Sequence, residues 1–161
     1  MRDHQPSSPA KEAHDGAHHL SIEIARRPDD VFAYVTDPTR LPEWQESVTR
    51  SESSDTPARV GTKARVTRRM GRREMTQTAE IVELTPPTSW SVRGLDGSVR
   101  GDIRGRVDPL DDGARSRVRI ELDLQGHGIG KLLVPLFVKR KAQQEAPRNA
   151  QNLKTRLEQT A

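Results

Sequence analysis

The chain has 161 residues, the size of one ordinary domain, with a formal net charge of +4 and no cysteine, which excludes disulfides and thiolate metal sites. Only 32% of residues are hydrophobic against 31% charged, and the mean hydropathy is -0.83, so the core is expected to be thin. The longest apolar run, Ile129 to Val138, falls far short of the ~20 residues that cross a bilayer, and no apolar segment behind a basic start marks a secretion signal, so a cytoplasmic protein without membrane insertion is expected.

Residues Met1 to Ala17 hold His, Pro, Ser, Asp and Gly without apolar period and predict a disordered tail ahead of a single domain over 18–161. His14, His18 and His19 make a weak chelating set with no fourth ligand, and no resident metal or cofactor is expected. Leu20, Ile22 and Ile24 alternate with Ser21, Glu23 and Ala25, the pattern of a half-buried strand. Pro28 opens a helix at its favoured first position, with Asp29 and Asp30 where the helix dipole favours acids. Val31, Phe32 and Val35 form its apolar face, and Asp37-Pro38 stops it because a residue before proline avoids the helical region. A second short helix is predicted over Thr39 to Trp44.

Strands follow. Ser47 to Ser53 is a weak one, and Gly61 to Met70 pairs with Glu74 to Leu84 around Gly71-Arg72-Arg73. Pro86-Pro87 forces a turn, and Ser89 to Leu95 meets Ser98 to Val107 at Asp96-Gly97, the strongest hairpin signal in the chain. Ala114 to Leu124 sets Ser116, Val118, Ile120, Leu122 and Leu124 on one face and Arg115, Arg117, Arg119, Glu121 and Asp123 on the other. The preceding strand turns Val99, Gly101, Ile103, Gly105 and Val107 inward, and glycines there leave room inside. From Ile129 to Leu157 apolar residues recur every three to four, a long helix that Pro135 and Pro147 should bend or divide. The order of elements predicts an α+β domain: a curved antiparallel sheet of six or seven strands, two short helices, and one long C-terminal helix across it.

The stretch Pro28-Asp29-Asp30-Val31-Phe32-Ala33-Tyr34-Val35-Thr36-Asp37-Pro38-Thr39-Arg40-Leu41-Pro42-Glu43-Trp44 resembles the opening segment of the helix-grip superfamily. That superfamily includes START-like lipid carriers, Bet v 1-like proteins and polyketide cyclase/dehydrase proteins. Gly61-Thr62, Glu80 to Pro87 with Trp90, and the terminal Asn152-Leu153-Lys154 with Leu157-Glu158 add to the likeness, which covers Leu20 to Glu158. The resemblance implies a cavity for a lipid, a polyketide or another small apolar molecule. Its walls would be Trp44, Met70, Met75, Ala79, Trp90, Val92, Ile103, Val118 and Ile120, closed by Leu132, Leu136 and Phe137. These residues are equally the right types simply to pack on one another as core.

Binding or carriage of such a ligand is the first functional reading, and a cyclase using the same cavity is the second. A cyclase needs an acid or base aimed into apolar space. The residues placed for that are few: Arg68, which suits a carboxylate or enolate; Gln77, on one face with Met75 and Ala79; Tyr34, beside the buried face of the first helix; and His127, in the loop before the long helix. A third reading is an anion-binding outer sheet face, since arginines number 21 against 6 lysines and Arg93, Arg100, Arg104, Arg106, Arg115, Arg117 and Arg119 share it. Stacking aromatics are missing there and Asp102, Glu121 and Asp123 interleave, so ion pairs should neutralise the face and no specific nucleic-acid site is expected.

Overall fold

A computed structural model describes residues 18–128, 131 and 138–160. The expectations for the tail before residue 18, and for Leu132, Leu136 and Phe137, lie outside the described residues. The chain runs β1 (His18–Ile24), α1 (Pro28–Val35), a 3-10 turn (Pro38–Arg40), α2 (Leu41–Trp44), β2 (Val48–Ser53), β3 (Lys63–Met70), β4 (Arg73–Thr85), β5 (Ser89–Gly94), β6 (Val99–Leu110), β7 (Arg115–Gly126) and α3 (Lys139–Gln159). The strands form one seven-stranded sheet in the order β1-β7-β6-β5-β4-β3-β2, every pairing antiparallel. This is the helix-grip arrangement.

The local causes are those expected from the sequence. Pro28 sits in the first turn of α1 with Asp29 and Asp30, and Thr36 closes the helix with its Oγ1 donating to Phe32 O at 2.7 Å. Asp37 turns extended before Pro38, and its side chain accepts from Thr39 N at 3.0 Å, capping the 3-10 turn that replaces the first half of the expected second helix. Gly97 takes φ 87° in the β5–β6 turn, a conformation suited to glycine. Pro147 lies inside α3, which continues through it as one element rather than dividing there.

The strand register places Leu20, Ile22 and Ile24 opposite Ile120, Val118 and Ser116, and Val118, Ile120 and Leu122 opposite Val107, Gly105 and Ile103. One continuous concave face results. At the β1–β7 end it is closed by a core of Ile24, Val31, Phe32, Tyr34, Val35, Trp44, Trp90, Val107, Val118, Leu153 and Leu157. Leu153 lies fully buried, which fixes the side α3 presents to this core. Polar contacts stitch the last turns of α3 in place: Lys154 Nζ donates to Glu23 O (2.8 Å), Asn152 to Trp44 O (3.3 Å), Arg156 to Glu43 O (3.2 Å), and Glu158 accepts from Ala25 N (2.9 Å).

Two expectations about the sheet are corrected. Gly105 leaves no room: the Trp90 indole lies against it, so close that a Cβ there would sit 2.0 Å from the ring. At Gly101 the space is taken by Leu122 and Leu124, at 3.1 and 3.3 Å. On the outer face, ion pairs do form, but the main acids are Glu23 and Asp108. Glu23 joins Arg115 at 3.0 Å and Arg117 at 2.6 Å, while Asp108 joins Arg106 at 3.1 Å and Arg119 at 2.5 Å. Glu121 contacts His19 at 3.7 Å, and Asp102 stands directly opposite Asp123. Strand alternation alone does not reveal which residues face each other across the ladder, so this pairing had to come from the register.

Candidate functional site

The concave face divides into two unlike halves. Trp44, Trp90 and Val118 belong to the packed core at the β1–β7 end, where Phe32 meets Trp90 edge to face at 5.9 Å between ring centroids. Toward β3 and β4 the core thins to Val48, Ala64 and Val66. The neighbouring inward positions Met70, Met75, Gln77, Ala79, Val92, Ile103 and Ile120 are only half-buried although they share the concave side. Two open grooves lie elsewhere. One, of about 620 Å³, runs beside the start of α1 along Arg27, Pro28, Thr88 and Pro109; the other, of about 450 Å³, crosses the outer face at Glu83, Ser91, Arg104 and Arg119.

Arg68 stands at the centre of the thin half. The ladder sets it between Val48 and Met75, pointing it to the concave side with Val66 and Ala64. One terminal nitrogen of its guanidinium donates to Ser47 Oγ at 3.1 Å, the other to Gln45 Oε1 at 2.8 Å. Burial pushes its pKa down, opposed by the charge of Glu145 on α3. No carboxylate among the described residues comes within ion-pairing distance, and the two neutral hydrogen bonds leave the rest of its donor fork unassigned. The residue nonetheless retains accessible surface. A charged group that is deep in the fold, yet accessible, faces an enclosed space rather than bulk water.

The other three polar residues singled out from the sequence are not gathered around Arg68. Tyr34 is buried, and its hydroxyl donates to Glu43 Oε2 at 2.6 Å while Arg40 stacks 5.0 Å over its ring. Burial, then the Glu43 hydrogen bond, pushes the phenol above its ordinary pKa, so it is a structural donor tying α1 to α2. Gln77 is turned to the β5–β6 hairpin, where Nε2 donates to Val99 O at 2.6 Å. His127 is exposed beyond β7, its backbone N donating to Ser98 O.

Sequence reading missed the partners of Arg68. Gln45 and Ser47 lie in the short connection after α2, where no periodicity marks them. Glu145 left a signal: with Asn149, Leu153 and Leu157 it repeats every four residues, so it lies on the line of α3 that faces the sheet. Asn149 on that line accepts from Glu46 N at 2.9 Å. The described residues contain no group of three or more His, Asp or Glu able to hold a metal ion, and no described helix is long and apolar enough to cross a membrane.

The geometry has close counterparts among solved structures. A START superfamily protein from Mycobacterium smegmatis superposes with a TM-score of 0.71 at 14% identity, over 90% of this chain and 99% of that one. The Zhui aromatase/cyclase from Streptomyces sp. R1128 does so with a TM-score of 0.73 at 12% identity, over 89% and 93%. The di-domain ARO/CYC BexL of the BE-7585A biosynthetic pathway matches with a TM-score of 0.65 at 15% identity, over 86% of this chain but 45% of BexL, so this chain spans about half of that protein. At these identities the likeness establishes the fold alone. No curated protein matches the chain. Residues 18–158 match the family described as polyketide cyclase / dehydrase and lipid transport, and the chain belongs to that family, within the START/Bet v 1-like superfamily.

Proposed function

We propose that this domain binds and carries a small, mainly apolar molecule bearing an acidic group, held between the β3–β4 half of the sheet and the C-terminal helix. The observation that carries this reading is Arg68, a guanidinium drawn into the apolar concave face with neutral partners only. An unpaired buried charge costs several kcal/mol, on the order of what a full counter-ion returns, so such a residue persists where an anion completes it. The half-buried Met70, Met75, Ala79, Val92 and Ile103 supply the apolar wall, and thioethers suit ligands of varied shape. The core end with Trp44, Trp90 and Val118 forms the floor, and Leu132, Leu136 and Phe137 are proposed to complete the enclosure.

A cyclase reading has one observation in its favour: the charge of Glu145 acts on Arg68, which would set a carboxylate near a group able to hold an enolate. Tyr34, Gln77 and His127 offer no acid or base to that space. Carriage is therefore preferred.

The test is a thermal-shift comparison of matched ligands, such as a fatty acid and its methyl ester, with native mass spectrometry of the purified protein. A ligand that binds only the folded state stabilises by roughly 2.7 kcal/mol at a hundredfold excess over Kd. The acid should raise the melting temperature, the ester much less, and Arg68→Met should abolish the difference. Equal shifts for acid and ester would remove Arg68 from the reading, and no shift by any apolar ligand would overturn carriage.

A further inference from the structure

The end of the domain where α3 begins gathers basic side chains from two elements distant in sequence. The β3–β4 hairpin brings Arg69, Arg72 and Arg73 around the Gly71 turn, and α3 opens with Lys139, Arg140 and Lys141. The two meet directly, Lys141 Nζ donating to Arg69 O at 3.3 Å. Two carboxylates answer the six cations: Glu74 stands 3.8 Å from Arg69, and Glu145 stands 3.8 Å from Lys141. Arg72, Arg73, Lys139 and Arg140 have no ion pair among the described residues, and all but Lys139 are fully at the surface. The outer sheet face differs, since Glu23 and Asp108 each hold two arginines there.

We propose that this end of the domain docks on an anionic lipid surface. Uncompensated cations drawn from two elements present a convex positive patch, and each Lys or Arg near an anionic leaflet contributes about 1 kcal/mol of attraction. The choice of lipid over a polynucleotide rests on two features. The ten residues leading into Lys139 carry a single charge, Lys131, a composition that suits the headgroup–acyl boundary and is too short to span. No aromatic ring stands among the described basic residues of the patch to stack a base. The docking is peripheral, and it does not depend on whether the concave space holds a ligand.

The experiment is co-sedimentation of the full chain with vesicles of phosphatidylcholine alone or mixed with phosphatidylglycerol, at low and high salt, with short duplex DNA as competitor. Binding is expected to the phosphatidylglycerol vesicles only and to weaken with salt. Neutralising two cations, in Arg72→Gln/Arg73→Gln or independently in Lys139→Gln/Arg140→Gln, should weaken it roughly twenty- to thirtyfold. Arg93→Gln/Arg104→Gln on the outer sheet should leave it unchanged. The two patch variants come from separate elements at the surface, so a folding defect in one leaves the other to decide. Equal binding to both vesicles, no binding, an equal loss in the outer-sheet variant, or displacement by DNA as effective as by lipid would overturn the proposal. Ligand thermal shifts, read on the same variants, report on the concave site separately.

Discussion

Replacing Gly105 with alanine places a methyl group where the Trp90 indole lies. The Cβ would stand 2.0, 2.2 and 2.3 Å from three ring carbons, far inside contact distance. The ring cannot easily retreat: Trp90 is 5% exposed and wedged edge-on against Phe32. Relief requires moving the indole or bending β6, and overpacking of this kind costs typically 1–3 kcal/mol. At 2–4 °C per kcal/mol for a chain of this length, the melting temperature should fall by roughly 5–10 °C. Gly101→Ala is the comparison, because its Cβ meets terminal methyls of Leu122 and Leu124 at 3.1 and 3.3 Å, which rotate away more cheaply. A double-mutant cycle with Trp90→Leu isolates the cause. In that background the second alanine should cost about 0.5 kcal/mol or less, giving a coupling of ~2 kcal/mol in urea denaturation. If Gly105→Ala is neutral in the native background, or equally costly without the indole, the packing of Trp90 on Gly105 is not what holds this end of the sheet.

Leu153→Ala removes a fully buried side chain where α3 meets the core and should cost about 2–5 kcal/mol in urea denaturation. Arg68→Met should leave the unliganded domain at least as stable by calorimetry, because an apolar chain replaces a buried charge with no counter-ion; a loss above ~2 kcal/mol would mark Arg68 as structural. Glu23 is held below the ordinary carboxylate range by hydrogen bonds from Arg117, then Arg115. Its contribution is therefore complete above an unfolded value of about 4.3 and lost as pH falls through the lower folded value. Melting curves of Glu23→Gln should accordingly lose less stability than the native chain between about pH 5 and pH 3.

Local chemistry was enough to write down most of the fold. Pro28 with Asp29 and Asp30 starts α1, Pro38 ends its run, Asp96-Gly97 turns the sharpest hairpin, and the alternation through β7 states which face is buried. Each is a short-range constraint, with the side-chain period and the backbone dihedrals visible within a few residues. The resemblance of Pro28 to Trp44 to helix-grip proteins supplied the rest of the architecture, since strand alternation does not order strands in a sheet.

Tertiary structure decided what stands opposite what. Gly105 read as empty space until the register placed Trp90 across from it. Glu23 and Asp108 read as ordinary surface acids until the ladder set them among the arginines of β6 and β7. Tyr34 read as a possible acid until α2 folded back to give it Glu43. Arg68 gained its isolation because Gln45 and Ser47 arrive from the opposite end of the helical segment and no carboxylate arrives with them. These are contacts between residues tens of positions apart, and the period of a strand or helix determines only which side a residue takes, never its neighbour across the gap.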